Sequence, residues 1–382
     1  MPSPARVNPP FRADHVGSLK RPLTLQQARE KLLGPHDAQH NLGPHDNAEL
    51  RGLEDEHIRQ VVALQERIGL QSITDGEFRR RTWWTDFVLG LEGTAIDYAG
   101  KTFVGVDRGG GQRPLPEVTV HGRIRWHGSV VADAFTFLRS LTSRTPKLTI
   151  PSPPIVHYMS ADKRINPAVY PDPAAFWDDL VQAYRAELQA LGRAGCTYLQ
   201  MDECMIAFLC DRRHRDWVRA TLGEDPDRLL RRYAEVINGA IAGRPATMTV
   251  AMHMCRGNMS GHWFAEGGYE PVAEVVFNGI DVDAYFLEYD SPRAGTFEPL
   301  RLVPKGKTVV LGLVSTKTPE LESADDLRRR LDEASRHLAL DQLCLSPQCG
   351  FASNYIGNPV TIDDQTRKLA RIVEVANKVW SS

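Results

Sequence analysis

Along the chain, short β-branched and apolar runs alternate with longer amphipathic, charged stretches. Eight such runs stand out: Asp14–Leu19, Gln71–Asp75, Lys147–Pro151, Cys196–Asp202, Ala246–Cys255, Ala284–Tyr289, Thr308–Ser315 and Gln342–Gln348. Between most of them, apolar residues recur at helical spacing. DPAAFWDDLVQAYRAELQALGRAG predicts a helix with Gly195 as its C-cap, and ADDLRRRLDEASRHL predicts another with Ser323 as its N-cap. Strand–helix alternation repeated eight times predicts an α/β protein of the (β/α)8 TIM-barrel class, one barrel spanning residues 1–382.

Two stretches break the repeat. Residues 34–57 read as a loop and helical insertion within an N-terminal extension, where GPHD occurs twice, at Gly34 and Gly43. His36, His40, His45 and His57 fall here; a solvated loop is the simpler reading and a metal-binding tract the alternative. Residues 94–130 read as a hairpin excursion, because PEVTVHGRIRW alternates like a strand. RGGGQ at its centre lacks the flanks of a phosphate loop and reads as a flexible turn.

Composition narrows the classes. Hydrophobic residues make up 42%, enough for an ordinary core, and the net charge of −2 offers no basic field for nucleic acid or an anionic membrane. The first residues carry no apolar targeting core and no run is long enough to span a bilayer, so a cytoplasmic location is expected. Six cysteines in 382 residues do not make a disulfide framework; they read as thiols, metal ligands or core. Oligomeric state is left open, with a homodimer as one option.

The chemistry lies where the runs end. ADHVGS (Asp14, His15, Ser18), ITDGEF (Asp75, Glu77), YLQMDEC (Asp202, Glu203), AMHMCRG (His253, Cys255), YFLEYD (Glu288, Asp290) and LSPQCGF (Cys349) all finish in ionisable or metal-capable side chains. In this fold, groups at the carboxyl ends of the strands gather at one mouth. In TMTVAMHMCRG, Val250, Met252 and Met254 share one face, and Ala251, His253 and Cys255 the other. With Cys349 from the last strand and Glu288 from the sixth, the set would fill a tetrahedral zinc site. Spacing alone weighs that evenly against ordinary core Cys and His. Cys196, Cys204, Cys210 and Cys344 have no partner at ligand spacing and read as packing. Asp14, Asp75 and Glu203 read first as hydrogen-bonding groups of strand ends. FRRRTWWTDF, after Glu77, either lines the entrance or, the simpler reading, covers the barrel rim.

At DHVGSLKRP, ITDGEFRR, QMDE, HMC and SPQCG the sequence resembles the catalytic barrel of the cobalamin-independent methionine synthase family, and the resemblance spans nearly the whole chain. It implies Zn2+ as cofactor, with His253, Cys255, Glu288 and Cys349 as ligands. It also implies homocysteine held by Gly17, Ser18, Glu77 and Asp202. The carboxylates would take the amino group, and the HVGS donors the carboxylate. Three departures stand out. There is room for one barrel, where full-length synthases carry two. STKTP puts Lys317 where the family has its catalytic histidine. SPPIVHY replaces the folate-binding stretch.

The implied function is zinc-dependent transfer of a methyl group from a methyl-folate to homocysteine. Metal coordination would make the substrate thiol a thiolate. His15, His157 or Lys317 would protonate the leaving group. The alternatives are transfer of another alkyl group to a small thiol, as in epoxide-opening coenzyme M transferases, and a non-catalytic zinc- or thiol-binding barrel. Zinc-free decarboxylases of the same superfamily are disfavoured by the complete ligand set.

Overall fold

The computed structural model describes residues 6–35, 43–97, 104–106, 112–114, 116–161 and 165–380. Its strands are β1 (Ser72–Ile73), β2 (Glu92–Asp97), β3 (Val104–Val106), β4 (Gln112–Pro114), β5 (Glu117–Arg125) and β6 (Thr145–Pro146). They continue with β7 (Leu148–Pro151), β8 (Tyr198–Asp202), β9 (Thr249–Met254), β10 (Ala284–Glu288), β11 (Thr308–Val314) and β12 (Leu343–Pro347). Six of them form one parallel sheet in the order β12-β11-β10-β9-β8-β7. Neighbours in sequence are neighbours in space, as helical crossovers between parallel strands require.

Shorter links carry the sheet round into a barrel. Ala13 bridges Leu345 of β12 in the parallel sense. At the other edge β1 pairs in parallel with β6, which runs into β7 through Lys147. Thr74 Oγ1 donates to Gly17 O (2.7 Å) and Leu19 N to Gly76 O (3.0 Å), tying the N-terminal segment to the β1 stave. All eight staves fall within or beside the predicted runs, and the fold is the (β/α)8 class. The first two are shorter than the apolar pattern suggests. Gly17 (φ 138°), Gly76 (φ 68°) and Glu77 (φ 60°) leave the extended region there.

The helices start where local chemistry says they should. Asp172 caps Pro173–Arg193 by accepting from Ala174 N, and Ser323 caps Ala324–Ala334 by accepting from Asp326 N. Gly195, at φ 88°, lies just past the first of these helices. In the N-terminal extension, Asn47 caps Ala48–Ile68, a helix that takes in His57. His45 bonds Glu54 (2.9 Å) and His57 bonds Gln60 (3.1 Å), so these two do not share a site. His36 and His40 lie outside the described residues. The excursion is an antiparallel pair of β2 and β5 with a short β3–β4 pair beyond it. It starts at Glu92, two residues before the predicted boundary, and residues 107–111 of the glycine turn lie outside the described residues.

Alternation along the strands sorts the core. Val250, Met252 and Met254 join the large cluster between the sheet and the helices. Ala251 instead belongs to a separate interior group with Val16, Tyr198, Ala284, Phe286, Val310 and Cys344. Beside this interior group sits a paired polar knot. Asp14 accepts from Lys147 Nζ (3.2 Å), Tyr198 OH (2.8 Å) and Ser72 Oγ (2.8 Å), and Lys147 Nζ lies 4.0 Å over the Phe286 ring. Among the described residues, no helix is long and apolar enough to cross a membrane.

Candidate metal and substrate centre

A cavity of about 450 Å³ opens at the carboxyl ends of the strands. β9 delivers its first two groups. Because His253 shares the face of Ala251, it points inward, and Cys255 follows just past the strand end. Cys349 comes from the turn after β12, where Gln348 N still donates to Val314 O (2.8 Å). The imidazole of His253 and the sulfurs of Cys255 and Cys349 place one donor atom each within 4.8 Å of one another. Cys349 Sγ lies 3.6 Å from Cys255 Sγ.

Gly350 explains why a glycine follows Cys349. A Cβ there would come within 1.8 Å of Ser18 Oγ, so only glycine lets the last turn close over the HVGS segment.

All three donors are buried, and neither ring nitrogen of His253 has a hydrogen-bond partner. Unsatisfied buried nitrogens are uncommon and are expected where an ion or ligand completes the site. The thiols of Cys255 and Cys349 are held well above the ordinary thiol range, the first by its hydrogen bond with Cys204 and the second by its hydrogen bond with Cys255, with burial adding to both. A bound cation would favour the thiolate forms and reverse that preference.

Glu77 sits on a tight turn. Asp75 Oδ1 accepts from Glu77 N (2.8 Å), Gly76 is left-handed, and Glu77 follows at φ 60°. A non-glycine residue there carries strain of about 1–2 kcal/mol, held by the surrounding bonds. Thr149 Oγ1 donates to Glu77 Oε1 (2.6 Å), Arg80 lies 3.6 Å away, and Oε2 is buried without a partner. Burial raises Glu77 to about 7 despite Arg80. Asp202, inward from β8 and bonded by Gln200 Nε2 (2.6 Å), is raised by burial to about 7 as well. Two buried carboxylates, one with a free oxygen, make a place for a cation.

Of the residues the sequence singled out, the structure brings Ser18, Glu77, Asp202, His253, Cys255 and Cys349 to the cavity wall. The others lie elsewhere. Gly17 stands behind the wall, where a Cβ would meet Thr149 Cγ2 at 2.7 Å. Glu288 accepts from Arg256 N (2.8 Å) and ion-pairs with Arg293. Burial alone would raise its carboxyl, but Lys317, Arg256 and Arg293 hold it down to about 2. His15 bonds Ser72 O (3.1 Å), and burial with Lys147 nearby lowers it to about 4. His157 bonds Tyr233 OH (2.9 Å) with its ring 4.7 Å from Trp177, and burial lowers it to about 4. Lys317 is buried beside Glu288 and Asp290. The carboxylates read as strand-end hydrogen bonders are engaged within the fold: Asp14 in its knot, Asp75 on Glu77 N, and Glu203 on Ser152 Oγ and Ile206 N.

Two features escaped the sequence reading. Cys204, read as packing, lies 3.4 Å from Cys255 Sγ and lines the cavity. Its match is visible only once β8 and β9 are aligned. The FRRRTWW stretch does line the entrance, through Arg81, Thr82, Trp83 and Trp84. Met159, Met205, Phe208 and Phe264 line the cavity as well, so much of its wall is apolar and aromatic.

A parallel barrel whose strand ends collect imidazole, thiols and buried carboxylates carries a donor set that could hold a metal ion. The family described as "Cobalamin-independent synthase, Catalytic domain" matches residues 35–378. The chain belongs to this family, the cobalamin-independent methionine synthases, whose named members are methyltransferases. It is 40% identical over 373 residues to the "Uncharacterized protein YxjH" of Bacillus subtilis (strain 168), covering 97% of this chain and 95% of that one. It is 42% identical to YxjG of the same organism, covering 98% and 96%. Among solved structures, the putative vitamin-B12 independent methionine synthase of Listeria monocytogenes superposes with a TM-score of 0.74 at 33% identity, covering all of both chains. A B12-independent methionine synthase from Shewanella sp. W3-18-1, in complex with selenomethionine, shares the fold with a TM-score of 0.70 at 21% identity, covering 96% and 97%.

Proposed function

We propose that this protein is a zinc-dependent thiol alkyltransferase that methylates homocysteine, with a methyl-folate as the first candidate donor. The observation that carries the reading is the convergence of His253, Cys255 and Cys349 within 4.8 Å on the wall that also holds Ser18, Glu77 and Asp202. Two sulfurs and an unpartnered imidazole suit zinc, and with three such donors the fourth position is one at which a substrate thiol can exchange. Zinc, when bound, would hold an incoming thiol in its nucleophilic, deprotonated form.

The chain's own residues do the rest. Glu77 and Asp202 receive the ammonium group of the amino-acid thiol, which draws both carboxyls into their ionised form. Ser18 Oγ, beside the Cys349–Gly350 turn, meets the carboxylate. With both ends held, the sulfur can face only inward, toward His253, Cys255 and Cys349. Trp83, Trp84, Phe208 and Phe264 take the donor and keep water from the reacting carbon.

A second reading, transfer of a different alkyl group, is favoured by one observation. Lys317, His15 and His157 all lie off the cavity wall, so no proton donor of the expected kind faces the donor half. The experiment is a steady-state assay with homocysteine, a methyl-folate and one equivalent of zinc, beside a panel of other alkyl donors and small thiols. Methionine formed only with zinc present supports the first reading. Turnover confined to another donor supports the second, and a zinc-replete chain that binds no thiol would sink both.

A further inference from the structure

We propose that Cys204 supplies the exchangeable fourth donor to the metal held by His253, Cys255 and Cys349, in the place the sequence resemblance gives to Glu288. This rests on the zinc reading above.

Register puts Cys204 there. β8 and β9 pair in parallel with Asp202 opposite His253, and Glu203 N still donates to His253 O (2.7 Å) beyond the last pair. Cys204 and Cys255 each lie two residues further on, so the two thiols leave neighbouring staves at one level. Their sulfurs are 3.4 Å apart, and Cys255 is in turn 3.6 Å from Cys349. Zn–S bonds of about 2.3 Å in a tetrahedron place sulfurs about 3.8 Å apart, so both contacts lie within a few tenths of an ångström of that edge. Cys204 lies outside the group that falls within 4.8 Å. A turn of its side chain brings the sulfur in, and the reverse turn releases the position to a substrate thiol.

Glu288 is placed for a different task. It does not line the cavity, whereas Cys204 does. Its oxygens are taken by Arg256 N (2.8 Å) and Arg293, and Lys317 and Arg256 add to the positive field around it. Drawing it onto a metal would break those contacts and leave buried cations without their counter-charge. Cys204 has no such ties; Cys255 is its bonding partner, and it lines the cavity.

Zinc K-edge X-ray absorption on the full chain, loaded with one zinc and free of added thiol, tests this by counting sulfurs. Wild type is expected to show three sulfur neighbours, Cys204→Ser two, and Glu288→Gln three. In cobalt-substituted protein, the sulfur-to-metal charge-transfer band of Cys204→Ser is expected to fall by about a third. Two sulfurs in wild type would overturn the assignment without any variant, as would a Cys204→Ser protein that keeps the wild-type count. A wild-type chain that holds no stoichiometric zinc would sink the zinc reading itself, and this assignment with it.

Discussion

The barrel holds two buried polar clusters, and they are opposites. In the knot around Asp14, both carboxylate oxygens are satisfied by Lys147, Tyr198 and Ser72, and the ammonium of Lys147 is capped by an aromatic face. At the mouth, both nitrogens of His253 and one oxygen of Glu77 are buried with no partner. The same strands build both, and β8 contributes Tyr198 to one and Asp202 to the other. The difference is not exposure, since both are shielded from water. The unpartnered groups at the mouth are of two kinds: nitrogen donors beside two thiols on one side, and a carboxylate oxygen on the other.

The comparison can be broken most severely at the paired knot. Lys147→Met leaves the Asp14 carboxylate buried without its cation and is expected to destabilise the chain by about 3–5 kcal/mol, read by urea unfolding. Zinc stoichiometry of the fraction that folds is expected to be unchanged. Loss of zinc in that fraction would mean the two clusters are coupled.

Cys349→Ser at the mouth is expected to do the reverse, with little change in unfolding and zinc affinity lowered by about 100-fold or more, measured by competition with a chelator. A variant that keeps a full equivalent of zinc with unchanged thiol affinity would remove the ligand assignment.

Glu77→Gln sharpens the division within the mouth. It is expected to leave zinc bound while weakening homocysteine roughly 10- to 100-fold, the loss of one charge-assisted hydrogen bond of about 1.5–3 kcal/mol, read by calorimetry. Equal affinity in the two proteins would strip Glu77 of its role.

The smallest effect is one of pH. Glu77 and Asp202 are raised by burial to about 7, above their values in the unfolded chain. Each therefore favours folding fully below about pH 4, and that contribution is lost as pH rises through 7. Ligand-free protein is expected to lose about 1–2 kcal/mol from this source between pH 6.5 and 8, and Glu77→Gln with Asp202→Asn to flatten the slope. Homocysteine binding is expected to run the other way, strengthening up to about pH 7 as the carboxylates ionise. Parallel pH trends in stability and binding would contradict the ammonium assignment.

Much of this was legible in the residues. Period-two alternation in TMTVAMHMC places His253 on the inward face, because a pleated strand allows its side chains no other arrangement. Ser323 and Gly195 mark helix ends through a bond and a dihedral that are purely local. The eight staves follow from apolar runs of the right length. Other features were not legible, since each needs a register or a packing partner. The first two staves look as long as the others in sequence, yet the second is only Ser72–Ile73 and the first is broken by Gly17 at φ 138°. The FRRRTWW stretch reads equally well as rim cover until Trp83 N is seen to donate to Ser353 O (2.9 Å), drawing it to the entrance.

The sequence by itself determined the barrel class, the inward face of β9 and the donor types His253, Cys255 and Cys349, because alternation and donor chemistry are properties of a few neighbouring residues. Only the tertiary structure decided which carboxylates meet a cavity and which meet a cation. Glu77 and Glu288 are both glutamates near strand ends, but burial leaves one raised to about 7 with an open oxygen, and Lys317, Arg256 and Arg293 hold the other at about 2. It alone placed Cys204 beside Cys255, 51 residues away, because the alignment of two parallel strands is set by packing across the whole sheet.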